Sequence, residues 1–195
     1  MLNNKQGFTI VEVSILFVIF LIVAFLVAPM SLDESLLAKN SSRWQHVQAD
    51  FNNLFESVKL TVEQDNLDFK TAFNQIMNNE IKREAEPYKI SYMNGNSPNI
   101  DYTFDSFKVT NSSATVAYKL YDSANDGVLG ILMYDVNGQV GPNQWGKDVF
   151  GLNIYPDRFE PFCKNDLVTT QKQDCSKHGT GLCCSNYYLI GGSFN

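Results

Sequence analysis

Apolar residues are spread along this chain in two different ways. From Phe8 to Ala28 they follow one another almost without a break, a run of 21 residues interrupted only by Thr9, Glu12 and Ser14. As a helix rising about 1.5 Å per residue, the run is about 30 Å long, the hydrocarbon thickness of a bilayer. Beyond Pro29 the pattern becomes striped: Leu37, Trp44, Val47, Phe51, Leu54 and Val58 are spaced 7, 3, 4, 3 and 4 apart, with polar residues between. That spacing puts them on one helical face. The two patterns predict one long helix from about Phe8 to Val62, disturbed at Pro29. Its first half is apolar all round, and its second half lies with one face on a globular head. A two-helix coiled coil would need a longer heptad run than this stripe supplies.

A second amphipathic segment, Leu67–Glu84, carries Phe69, Phe73, Ile76 and Met77 at helical spacing and ends before Pro87. The texture then turns to strand: Tyr88–Met93, Asp101–Val109, Ala114–Tyr121 and Val128–Val136 are rich in aromatic and β-branched residues. Asn94-Gly95-Asn96, Asn111-Ser112-Ser113 and Asn125-Asp126-Gly127 punctuate them as turns. The expected fold is α+β, a long N-terminal helix packed on an antiparallel sheet of about four strands.

A length of 195 residues suits one domain plus an extended element. The net charge of −6 speaks against a nucleic-acid binder, whose affinity comes largely from phosphate neutralisation by a basic face. All four cysteines, Cys163, Cys175, Cys183 and Cys184, fall in the last 33 residues. An even, clustered set downstream of an export-type segment reads as two disulfides stapling a loop-rich C-terminus. A bridge between the neighbours Cys183 and Cys184 would be strained, so crossing to Cys163 and Cys175 is favoured. The competing reading is a zinc site using Cys175-x-x-His178 with Cys183 and Cys184.

At the N-terminus, residues 1–7 are polar and include Lys5, which favours a cytoplasmic location for that end. The remainder would then face the periplasm. A secretory signal peptide has a shorter apolar core and a small-residue cleavage site after it. Here the small residue, Gly7, comes before the run. Glu12, five residues into the run, is the discriminating feature: a carboxylate costs about 2.5–3.5 kcal/mol at the centre of a membrane helix and less near an interface. Cleavage after Gly7 would create an α-amine on Phe8, four residues from Glu12 and on the same helix face. In a bundle of parallel helices a neighbour's amine is equally accessible. Such an intermolecular pair would set the stagger between subunits, the register role best attested for buried charges.

Gly7-Phe8-Thr9-Ile10-Val11-Glu12 followed by an apolar stretch resembles the N-terminal signal of type IV pilins and type II secretion pseudopilins. The resemblance covers roughly the first 30 residues. It implies a leader at residues 1–7, a transmembrane and filament-core helix at 8–29, and a head at 30–195. A prepilin peptidase would cut after Gly7 and methylate Phe8, giving N-methylphenylalanine. Glu12 would serve assembly, and Pro29 matches a proline that kinks or unwinds the helix. The partners implied are other pilin subunits, the processing peptidase and methyltransferase, and the inner membrane before assembly. The final location implied is a pilus at the cell surface or a periplasmic pseudopilus.

The loop from Asp135 to Asp148 concentrates glycines and oxygen donors, and Asp135, Asn137 and Asp148 are candidate calcium ligands. Some pilin-like proteins hold calcium in a C-terminal loop, which the resemblance extends to this segment. The alternative is a turn at Asn137-Gly138 whose backbone is hydrogen-bonded by Asp148. No catalytic motif surrounds His46 or His178, so the chain reads as a substrate of enzymes and not as an enzyme. Three functions compete: a pilus subunit for adhesion, motility or tip initiation; a secretion pseudopilin; and a binding module on an uncleaved signal anchor.

Overall fold

The computed structural model describes residues 10–83, 89–98, 105–109, 113–138 and 140–194. The chain divides into two compact units, Met1–Leu36 and Leu37–Asn195. Helix α1 spans Ile10–Asp65, Pro29 included, so the long helix expected from the pattern is present. Helix α2 is Phe69–Glu80, and the strands are β1 Ile81–Arg83, β2 Asp105–Val109, β3 Thr115–Asn125, β4 Val128–Asp135, β5 Val149–Ile154 and β6 Phe159–Pro161. Two short helices, α3 Val168–Asp174 and α4 Cys184–Tyr187, complete the α+β architecture.

In the second unit the six strands form an antiparallel sheet in chain order, β1 to β6. The expected antiparallel sheet is present; among the described residues it has four longer strands, β2–β5, and two three-residue edge strands, β1 and β6. Ile81–Arg83, assigned to the second helix by its periodicity, instead pairs with Phe107–Val109. Val149–Ile154 and Phe159–Pro161 extend the sheet beyond β4. Of the expected strand Tyr88–Met93, the described residues make only one isolated bridge, Ser91 to Gln144. Their backbone groups go to loops: Ser91 N donates to Asn143 O, Trp145 N to Ser91 O, and Met93 N to Thr180 O. The hairpin between β3 and β4 forms where Asn125-Asp126-Gly127 predicts it. Asp126 and Gly127 have φ of 50° and 81°, the left-handed pair that suits strand twist.

The stripe on α1 enters the core of this unit. Trp44, Phe51 and Val58 are buried together with Phe73 and Met77 of α2 and Leu132, Phe150, Leu152 and Ile154 of the sheet. Trp44 stacks on Phe150 with ring centroids 5.1 Å apart, and Phe51 meets Tyr134 edge-on at 5.6 Å. Phe55, outside the predicted stripe, is buried, while Val47 and Leu54 are only partly so. Asp68 starts α2: its carboxylate accepts the Thr71 N–H at 3.1 Å and the Thr71 hydroxyl at 2.5 Å.

Candidate functional site

Three regions carry the residues singled out by sequence. In the first unit, Gly7 and Phe8 lie outside the described residues. Glu12 and Pro29 fall within the backbone of α1, but their side chains lie outside the described residues. From Val13 to Ile22 every apolar side chain is at least half exposed, with Phe20 at 67%. Ten helical residues with a single polar side chain, Ser14, cannot be an amphipathic surface helix, because no face is polar. An apolar surface of this kind marks a contact with lipid or protein. Among the described residues no helix is long and apolar enough to cross a membrane. The span expected at 8–29 includes side chains at 8–12 and 23–29 that lie outside them.

The second region is the loop joining β4 to β5. It begins at Asp135 and ends at Asp148, whose flanks are paired strands, Asp135 lying opposite Val149. Both aspartates are buried, at 2% and 0% exposure. Asp148 accepts the backbone N–H of Asn143 at 2.9 Å and of Gln144 at 2.6 Å, one on each carboxylate oxygen. Asp135 Oδ1 accepts the Asn137 N–H at 2.9 Å, and the Asn137 amide donates to Val140 O at 2.7 Å. The Asn143 amide nitrogen donates to Gly138 O and Asp135 Oδ2, each at 3.2 Å. Burial pushes the Asp148 carboxyl above its usual range, against the opposing pull of the Gln144 and Asn143 N–H groups and the Asn137 side chain. The fold thus brings Asp135, Asn137 and Asp148 into one loop. As donors for calcium they have the right chemistry, but both Asp148 oxygens already hold the loop backbone. Hydrogen bonding of the loop is the role this geometry supports directly.

The third region is the C-terminal lobe. Cys163 pairs with Cys183 and Cys175 with Cys184. The zinc alternative is thereby corrected: disulfide sulfurs are not thiolates, and a zinc site at these cysteines needs thiolates. His178 is exposed on the intervening loop. Two polar side chains organise the lobe. Asp174 accepts the Thr180 N–H at 2.8 Å, the Thr180 hydroxyl at 2.6 Å and the Cys183 N–H at 2.9 Å. Buried Gln171 donates to Cys163 O at 2.9 Å and Asp166 O at 2.8 Å, and accepts from the Asn186 amide at 3.0 Å.

The lobe is seated on the head by its last buried turn. Trp44 Nε1 donates to Ser185 O at 2.7 Å, and Gln45 Nε2 donates to Tyr188 O at 2.6 Å. From β5, Gly151 N donates to the Ser185 hydroxyl at 2.9 Å. The Tyr188 hydroxyl, its pKa raised by burial, donates to Gly146 O at 3.2 Å. Gly146 has φ of 77°, and a Cβ there would sit 2.5 Å from Cys184 Sγ. The second bridge therefore needs glycine at that position. Sequence reasoning found the cysteines but not Asp174, Gln171 or Ser185. They are isolated polar residues whose roles depend on which backbone groups the two bridges bring to them.

Comparison of the chain with protein-family models, curated proteins and solved structures gives no match.

Proposed function

We propose that this chain is a subunit of a type IV pilus-like filament, anchored in the inner membrane before assembly through its N-terminal helix. The observation that carries the reading is the motif Gly7-Phe8-Thr9-Ile10-Val11-Glu12 at the head of a helix whose next apolar residues, Val13 and Ile15–Ile22, are all exposed. Cleavage after Gly7 supplies the Phe8 amine. That cation neutralises Glu12 within an apolar bundle, where an unpaired carboxylate is costly. The apolar half of α1 is then covered first by lipid and later by its neighbours' helices. The pilin-type arrangement, a long helix carrying an antiparallel sheet and a disulfide-stapled tail, belongs to the same proposal.

Two measurements test it. Mass spectrometry of the purified chain should find N-methylated Phe8 as the first residue; an intact Met1 in cells with an active prepilin peptidase would identify a plain signal anchor instead. Glu12→Val should leave membrane insertion intact and remove the chain from filaments. Normal incorporation of that variant would defeat the register argument. A pseudopilin role would appear as lost protein secretion, with surface pili retained, when the gene is deleted.

A further inference from the structure

The exposed face of α1 within the second unit has opposite charges at its two ends. Residues 39–49 carry two cations, Lys39 and Arg43, and no carboxylate. Residues 50–68 carry five carboxylates, Asp50, Glu56, Glu63, Asp65 and Asp68, against the single cation Lys59. All of these side chains are exposed, and Lys59 is taken up by Glu56 at 3.5 Å. Asp68 is engaged by Thr71, which leaves Glu63 and Asp65 at the acidic corner where α1 ends. Carboxylates there face the negative end of the helix dipole, and no basic residue stands in the last turn to compensate. Within one chain this placement is unfavourable, and an external cation would relieve it.

The cationic end supplies a matching receptor. Arg43 and His46 border a groove of about 300 Å³ lined also by Tyr134, Ser113 and Asp50. Arg43 is held over it by a hydrogen bond from Nη1 to Val136 O at 3.3 Å. Asp50, about two helical turns along α1 from Arg43, adds a negative charge to the lining. A carboxylate entering is drawn to Arg43 and repelled by Asp50, so the groove selects a position and not merely a sign.

We propose that this groove receives the acidic corner of a second copy of the chain, placing Arg43 of one subunit against Glu63 of the next, with Lys39 adding to the attraction; Asp65, two residues on, lies on another face of the helix. Arg43 and Glu63 are 20 residues apart on α1. For parallel copies, the two subunits are therefore offset by about 30 Å along the helix. A contact between two different patches that also carries an axial offset cannot close into a ring, and so builds a filament. The contact rests on the filament reading above and concerns the heads alone, whereas Glu12 acts in the apolar half.

Charge exchange tests it in cells that assemble the full-length chain, with sedimentable filament sheared from the surface as readout. Arg43→Glu and Glu63→Lys should each lower the sedimentable fraction several-fold, and the chain carrying both should recover most of it. Glu63 is exposed and remote from the groove, so its variant keeps or slightly raises the head's melting temperature, and lost assembly cannot be put down to unfolding. Arg43→Gln retains a donor for Val136 O and should reduce assembly without altering melting. Wild-type yield from both single variants, or a double variant no better than either, would overturn the contact while leaving the filament reading standing. Absence of the wild-type chain from any sedimentable polymer, with Met1 intact, would remove both.

Discussion

Residues 13–22 and 43–58 belong to the same α-helix and have opposite relations to their surroundings. In the first stretch every apolar side chain is exposed. In the second, Trp44, Phe51, Phe55 and Val58 are buried while Arg43, His46, Asp50 and Glu56 face outwards. Helical periodicity explains only the second, which has a polar face for water and an apolar face for the core. The first has no polar face to offer, and nothing within the chain covers it. An apolar face packed within the chain and an apolar surface left exposed all round are thus encoded differently along one helix.

The largest effect expected on that comparison comes from the disulfides, because the lobe they staple covers Trp44. The bridges span 20 and 9 residues, which the chain-entropy account converts to about 3 kcal/mol each. Reduction should lower the melting temperature of the head steeply and red-shift its Trp fluorescence as Ser185 O leaves Trp44 Nε1. Melting unchanged by reductant would show that the bridges do not hold the lobe in place.

Next is a direct contrast between the two halves. Trp44→Ala removes the stacked contact with Phe150 and strands Ser185 O, and should destabilise the head by about 3–5 kcal/mol. Phe20→Ala, in the exposed half, should leave urea unfolding of the head unchanged. Equal losses from the two substitutions would erase the distinction between the halves.

The smallest effect concerns the loop closed by Asp148. Asp148→Asn places an amide N–H against a backbone N–H, of either Asn143 or Gln144, and should cost about 1–3 kcal/mol at neutral pH. Because the folded-state pKa is raised above 3.8, this carboxyl favours the fold most below pH 3.8. That contribution is lost as pH rises through the raised value. Urea titrations from pH 3 to 7 should show the step in the wild type and not in Asp148→Asn. Millimolar calcium should leave the wild-type melting temperature unchanged, since both Asp148 oxygens hold the backbone. A rise of several degrees, abolished by Asp148→Asn, would establish the loop as a calcium site.

Periodicity and composition alone determined the long helix, its striped half, the second helix, the β3–β4 hairpin and the oxidised cysteines. Each follows from local spacing, turn chemistry or compartment, and none needs a distant partner. They also determined the Gly7–Glu12 motif on which the functional reading stands. Tertiary structure decided that Ile81–Arg83 is an edge strand, since its helical periodicity yields to pairing with β2. It also sent Ser91 to the loop at Asn143–Trp145, paired Cys163 with Cys183 and Cys175 with Cys184, and gave Gln171, Asp174 and Ser185 their bonding partners. In each of these cases the deciding partner is far along the chain or is a backbone group brought near by folding. Such interactions leave no periodic trace in the residues themselves.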